Sequence, residues 1–325
     1  MANRRILVVR LGSMGDVIHT LPAASTLKHS FPGCHLGWII DPKWSVLLEG
    51  NPYVDEIIPF NRRKFGNILE ARRRLRNAGF DTVIDFQGLI KSALVASAAR
   101  PERIYGFHES QVRERLSALF YSHRTRVEAA HVVDRNLELA ESSGAANAVR
   151  TFPLPKGEPE GKLPNGPFVL AAPLGGWPAK QWPIENYEIL AGLLQRRFGM
   201  PLVLDGPPQS AGVLESAGGL LTHYSGVGGL IDATRRATAV VGIDSGPLHL
   251  AAALGKPGAA IFGPTDPERN GPYGGTITVL RDASAVTSYK RRKGIDPSMR
   301  QVGAEAVFEA LAEKLEAALD AENSG

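Results

Sequence analysis

Apolar and polar positions along this chain follow two periods in turn. Short aliphatic runs of strand length, Ile6–Val9, Leu36–Ile40, Glu56–Pro59, Thr82–Asp85 and Ile104–Gly106, are separated by longer stretches with helical spacing, the first from about Asp16 to Ser30. Strand and helix in strict rotation predict a mostly parallel sheet with helices on both faces, a doubly wound α/β domain. Residues 153–167 are rich in proline and glycine and poor in apolar side chains, which reads as a linker over the surface. The rotation then resumes with strands near Phe168–Ala172, Leu202–Asp205, Ala239–Ile243 and Ala259–Phe262.

The expected organisation is therefore one doubly wound domain over residues 1–152, a linker over 153–167 and a second such domain over 168–325, the two facing across a cleft. The final helical pattern, from about Gly303 to Ala321, is amphipathic and suited to packing back across the junction. In open α/β sheets ligands collect at the carboxyl ends of the strands, so two such domains suggest a two-substrate transferase.

Composition narrows the class. A chain of 325 residues is long enough for two separate cores, and 43% hydrophobic with 22% charged content is ordinary for a globular protein. The apolar run at the start, Ile6–Val9, is only four residues long, too short for a signal peptide or a membrane span, so a cytoplasmic protein is expected. Cys34 is the only cysteine, which excludes an internal disulfide and a cysteine-based metal site.

Charge changes the picture more. The net +4 conceals an asymmetry: Asn61 to Arg126 holds 14 Lys/Arg against 6 Asp/Glu, a local +8, and leaves −4 for the rest. One region is built to meet anions. Nucleic acid is not the expected partner, because interleaved aromatics and a nucleic-acid module are both missing. Arg62, Arg63 and Lys64 contribute to this field, as do Gln87 and Lys91, which follow the strand ending at Asp85 and so belong to the cleft rim. A solvated helix face explains Arg72, Arg73, Arg74 and Arg76 equally well.

Candidate chemistry gathers at strand-to-helix turns. The strand Ile6–Val9 runs into Arg10-Leu-Gly-Ser-Met-Gly-Asp16, a turn resembling a phosphate loop without the Lys-Ser/Thr of a P-loop or the G-x-G-x-x-G of a dinucleotide fold. Asp16 there is either a helix cap or a base, and the helix dipole would lower its pKa in either role. In the second domain the strand ending at Ile243 is followed by Asp244-Ser-Gly-Pro-Leu-His249, where Pro247 suits the first helical position and Ser245 or Gly246 the cap. Free N–H groups and the helix dipole make that turn a site for phosphate or diphosphate, and His249 stands within the first helical turn beside it. Lys180, on the loop Gly175-Gly-Trp-Pro-Ala-Lys180, can neutralise a leaving phosphate, although an isolated surface lysine is usually a solubilising charge. The chain has no D-x-D pair, so no carboxylate-held metal or other cofactor is indicated.

These segments carry a resemblance. Ser13-Met-Gly-Asp-Val17 with His19-Thr-Leu-Pro22, Asp85-Phe-Gln-Gly-Leu-Ile-Lys-Ser92, Leu119-Phe-Tyr121, Lys180-Gln-Trp-Pro183, Asp244-Ser-Gly-Pro-Leu-His249 and Gly263-Pro-Thr-Asp-Pro267 together resemble the bacterial lipopolysaccharide heptosyltransferases of glycosyltransferase family 9. The resemblance implies a GT-B fold and inverting transfer of heptose from ADP-heptose onto Kdo of the Kdo-lipid A inner-core precursor. It places Asp16 as the base and Lys180 as the stabiliser of the leaving diphosphate. Gly175, Gly176, Lys180, Asp244, Ser245, Gly246 and His249 then form the donor side, and Ser13, Met14, Gly15, Arg62, Arg63, Lys64, Gln87 and Lys91 the acceptor side. A protein of this kind is expected to work from the cytosol, peripheral to the inner membrane.

The chain departs from the family where hydroxyl residues are expected before Lys180, at Gly175-Gly176, and where a glutamate commonly meets the nucleoside, at Gly206-Pro-Pro-Gln-Ser210. Competing expectations are a type II acceptor or another nucleotide sugar within the same family, with Arg62-Arg-Lys64 and Asp85-Phe-Gln-Gly-Leu favouring the type I acceptor. A non-catalytic nucleotide-sugar binder is the other, against which stand the intact Asp16, Lys180 and His249.

Overall fold

A computed structural model describes residues 4–61, 65–215, 218–288, 290 and 292–323. The chain divides into two compact units, Met1–Pro155 and Lys156–Gly325.

The first unit contains β1 (Arg5–Val9), α1 (Met14–Ser30), β2 (His35–Ile40), β3 (Glu56–Pro59), α2 (Phe65–Asn77), β4 (Thr82–Asp85), α3 (Ile90–Ala98), β5 (Arg103–Phe107), β6 (His123–Thr125) and α4 (Val132–Ser142). Short 3-10 segments at Pro42–Leu48 and Arg115–Phe120 complete it. Its six strands are all parallel in the order β3-β2-β1-β4-β5-β6. A parallel sheet covered on both faces needs strands that are apolar throughout, and β1 meets this. Leu7 and Val9 join the core with Leu75, Ala93, Val95 and Ala96 from α2 and α3, and the alternate residues Ile6 and Val8 are equally buried. Helices α1 and α4 pack on each other.

The second unit contains β7 (Val169–Ala172), α5 (Ile184–Phe198), β8 (Leu202–Gly206), α6 (Ala211–Leu214), β9 (Leu221–Tyr224), α7 (Val227–Arg236), β10 (Ala239–Ile243), α8 (Gly246–Ala253), β11 (Gly258–Phe262), α9 (Pro267–Asn270), β12 (Ile277–Arg281), α10 (Pro297–Gln301) and α11 (Ala304–Asn323). Its strands are parallel in the order β12-β11-β10-β7-β8-β9. Read from the other edge, this is the strand order of the first unit. The final helix α11 lies on α5 and β11, and Val307, Leu311 and Leu315 enter the second unit's core.

Three strands absent from the sequence reading, β6, β9 and β12, are all edge strands. The segment read as a linker has no regular structure, yet it is not a loose surface tether. From Gly157 onward it is pinned to the second unit: the Glu158 N–H donates to the Gly228 carbonyl at 3.2 Å, and the Glu160 carboxylate accepts from Gly226 N at 2.6 Å and Gly229 N at 3.1 Å. Glu160 thereby satisfies N–H groups at the start of α7 that Gly226, lacking a side chain, cannot cap.

Candidate functional site

Each sheet reverses strand order once, between β1 and β4 in the first unit and between β7 and β10 in the second. Such switch points open a crevice at the strand ends. The turns after these four strands carry most of the residues singled out in the sequence.

In the first unit, helix α1 begins at Met14 with Ser13 in the N-cap position, so Asp16 is its third residue. The Asp16 carboxylate accepts from Ser13 N and from Ser13 Oγ, both at 2.9 Å, and pairs with Arg10 through its other oxygen. The cap role is thus realised. Burial opposes the charged form of Asp16, but the Arg10 guanidinium and the Ser13 hydrogen bonds outweigh it and hold the carboxyl below its ordinary value. Arg10 also donates to the Phe86 carbonyl, and Leu11 N donates to Gln87 Oε1 at 2.9 Å, which ties the β1 turn to the β4 turn. Gly12 fits because of what lies on it: an added Cβ would stand 2.7 Å from Trp44 Nε1 and 2.9 Å from Trp44 Cδ1.

Asp85 organises the β4 turn. Wholly buried, it accepts from Gln87 N at 2.9 Å, Ser92 Oγ at 2.8 Å and the Tyr121 hydroxyl at 2.8 Å. Burial raises its pKa despite these bonds, and burial together with the Asp85 charge raises that of Tyr121. The sequence places Asp85 at a strand end and in a segment that carries the family resemblance, but not in this network. Its signal was the later Tyr121, too distant in sequence to pair by spacing.

The structure separates the expected acceptor-side residues. Ser13 is exposed beside Asp16, and Gln87 and Lys91 flank the start of α3. The Met14 side chain, by contrast, is buried, and Gly15 is buried in the first turn of α1, so both serve packing. Apolar Met14 gains more from the core than from a sugar. Arg62, Arg63 and Lys64 lie outside the described residues.

In the second unit, Lys180 ends a 3-10 turn, Pro178–Lys180, and its Nζ donates to Asp244 Oδ2 at 2.6 Å while lying 4.6 Å from the centre of the Trp177 ring. His249 Nε2 stands 3.4 Å from Asp244 Oδ1. Burial disfavours the Asp244 charge, yet the His249 hydrogen bond and the Lys180 charge overcome it and hold the carboxyl well below the usual range. Ser245 takes the N-cap position and Pro247 is the second helical residue, one place later than its spacing suggests: α8 starts at Gly246 and ends before Gly255, whose φ of +68° suits glycine. The Ser245 side chain makes no cap bond, and its buried Oγ has no partner among the described residues. The result is a helix start with a buried hydroxyl, flanked by a lysine and a histidine that one carboxylate holds in place. This arrangement suits a phosphate-bearing ligand. Gly175 packs near Ile243 Cδ1, whereas exposed Gly176 has open space where a side chain would stand. Among the described residues no cluster of three or more His, Cys, Asp or Glu side chains is arranged to hold a metal ion.

Residues 68–297 match the family Glycosyltransferase family 9 (heptosyltransferase). The chain belongs to glycosyltransferase family 9. It is a glycosyltransferase with the GT-B fold. Lipopolysaccharide heptosyltransferase 1 of Pseudomonas aeruginosa is 30% identical over 294 residues, covering 83% of this chain and 81% of that protein. Lipopolysaccharide heptosyltransferase 2 of Salmonella typhimurium is 27% identical over 337 residues, covering 89% and 91%. Among solved structures, the E. coli heptosyltransferase WaaC with ADP-2-deoxy-2-fluoro heptose is 27% identical, with a TM-score of 0.75 over 95% of this chain and 99% of that one.

Proposed function

We propose that this glycosyltransferase moves L-glycero-D-manno-heptose from ADP-heptose onto Kdo of the Kdo-lipid A inner-core precursor in lipopolysaccharide biosynthesis, with inversion. The observation that carries the donor half is the start of α8, where the unpartnered Ser245 hydroxyl lies beside the Lys180–Asp244–His249 cluster. Gly246 N–H and Ser245 meet the diphosphate, and Lys180 offsets the charge that develops on the leaving group as the anomeric C–O bond breaks. Asp244 keeps Lys180 and His249 in register for that task.

Asp16 is the base that takes the acceptor hydroxyl proton. Its lowered pKa makes it a weak base that is nonetheless ionised throughout the physiological range, so most of the driving force comes from departure of the diphosphate. Arg10 holds the carboxylate and Ser13 orients it. The acceptor half includes Gln87 and Lys91, together with Arg62, Arg63 and Lys64, whose charge suits Kdo carboxylates and lipid phosphates. The protein works on the cytoplasmic face of the inner membrane as a peripheral enzyme, in keeping with the lack of a described helix long and apolar enough to cross a bilayer.

ADP release with ADP-heptose and a Kdo-bearing lipid A acceptor tests this reading. Asp16→Asn is expected to lower kcat by about 10²–10⁴-fold while donor binding survives. Donor binding lost together with activity would remove Asp16 from the role of base. No transfer by the wild type, with donor bound, would move the acceptor to another sugar.

A further inference from the structure

The 3-10 segment Arg115–Phe120 has a face that no packing explains. In a 3-10 turn residues three apart eclipse each other, so Leu116 and Leu119 stand together, and they are 61% and 69% exposed. Ser117 and Ala118 between them are buried and fix the segment to its neighbours. Isolated exposed leucines are common, whereas a paired face flanked by exposed Arg113 and Arg115 has the amphipathic character of a membrane-surface element.

Its position also matters. Glu114, immediately before the segment, accepts a 2.7 Å hydrogen bond from Ile90 N at the start of α3, next to Lys91. Val112 packs on Gly88, beside Gln87. Tyr121, immediately after the segment, donates to Asp85. Both ends are therefore anchored to the β4 turn, the acceptor side of the proposed reaction.

We propose that Leu116 and Leu119, with Arg113 and Arg115, form the surface that docks this protein on an anionic lipid bilayer, the leucines entering the acyl boundary and the arginines meeting the headgroups. The inference deepens the function proposed above, since it presents the β4 turn to a lipid-borne acceptor, and the experiment below separates the two.

Full-length protein is sedimented with vesicles of mixed phosphatidylglycerol and phosphatidylcholine and with vesicles of phosphatidylcholine alone, while transfer is followed on a water-soluble, delipidated Kdo acceptor. The wild type is expected to bind the anionic vesicles preferentially. Leu116→Ser with Leu119→Ser should weaken binding about tenfold, and Arg113→Gln or Arg115→Gln about fivefold each, with donor binding unchanged. Vesicle binding by the wild type that the leucine variant retains would overturn the proposal, as would no vesicle binding at all. A leucine variant that alters only the oligomeric state would make the face an interface between copies and equally overturn it. Loss of vesicle binding in the variant, in a protein that transfers nothing to Kdo, would uphold the surface and reject the acceptor.

Discussion

Replacing Lys180 by methionine strands a buried carboxylate. Asp244 is 8% exposed at its side chain and Lys180 16%, and His249 at 3.4 Å would be the remaining partner for the charge. Breaking a buried pair by removing one member costs roughly 3–5 kcal/mol, and the residual access of water to Lys180 sets the expectation at the lower end, about 3 kcal/mol. Asp244→Asn keeps the shape and leaves a lysine whose flexible stem can turn to water, for about 1–2 kcal/mol. Simple addition would give about 4–5 kcal/mol, but the double variant contains no stranded charge and is expected to cost about 2 kcal/mol, a coupling of roughly 2–3 kcal/mol. Native-state hydrogen exchange of the full chain, read on peptides of β7 and β10, measures all three values within the second unit. Thermal unfolding should fall by about 6–12 °C for Lys180→Met alone, given about 2–4 °C per kcal/mol in a domain of this size. Additivity within about 0.5 kcal/mol would refute the reasoning, because the two side chains would then not be sensing each other.

Other outcomes follow from the packing and the charges. Gly12→Ala sets a Cβ against the Trp44 indole and is expected to destabilise the first unit by about 1–3 kcal/mol, measurable by urea unfolding, with Trp44→Ala added to relieve the clash. Glu160→Ala removes the acceptor of the Gly226 and Gly229 N–H groups and should cost about 1 kcal/mol, seen as faster exchange of those amides with little change in the first unit. His223 donates through Nδ1 to the Asp205 carboxylate at 2.7 Å and through Nε2 to the Glu160 carbonyl at 2.7 Å; its pKa is raised chiefly by the Asp205 hydrogen bond, against opposing burial. That stabilisation is full below the unfolded histidine value of about 6.5 and is lost as pH rises through the raised folded value. A pH series of unfolding free energies should show that decline in the wild type and lose it in His223→Gln.

The sequence made the fold legible where burial is two-sided. Strands β1, β4, β7 and β10 lie at the sheet centres and read from their aliphatic stretches, Ile6–Val9, Val83-Ile84, Val169–Ala172 and Ala239–Val241, whereas β6 (His123-Arg-Thr125) and β9 (Leu221-Thr-His-Tyr224) are edge strands whose polar residues hide the period. Asp16, Lys180, Asp244 and His249 were visible because each lies on a turn with its own local signature. Their partners were less so: Arg10 reaches Asp16 within one turn, but the hold of Asp85 on Tyr121 spans 36 residues and that of Glu160 on the start of α7 spans 66, and no local pattern announces either. The burial of the Met14 side chain was hidden for a related reason, since the first turn of a helix beside a site also has an inward face.

Both units fill one topological address with an aspartate, at the end of the fourth strand in each: Asp85 closes β4 and Asp244 follows β10. The neighbours then set the two apart. Burial raises the proton affinity of Asp85 even though hydroxyl and amide donors surround it, whereas the His249 hydrogen bond and the Lys180 charge lower that of Asp244 against its burial. One address is spent on rigidity and the other on charge, so the two halves offer unequal freedom to change. Altering what this scaffold holds would be easier in the turns around Asp244, where a new ligand can take over a cation, than around Asp85, where every bond already belongs to the protein.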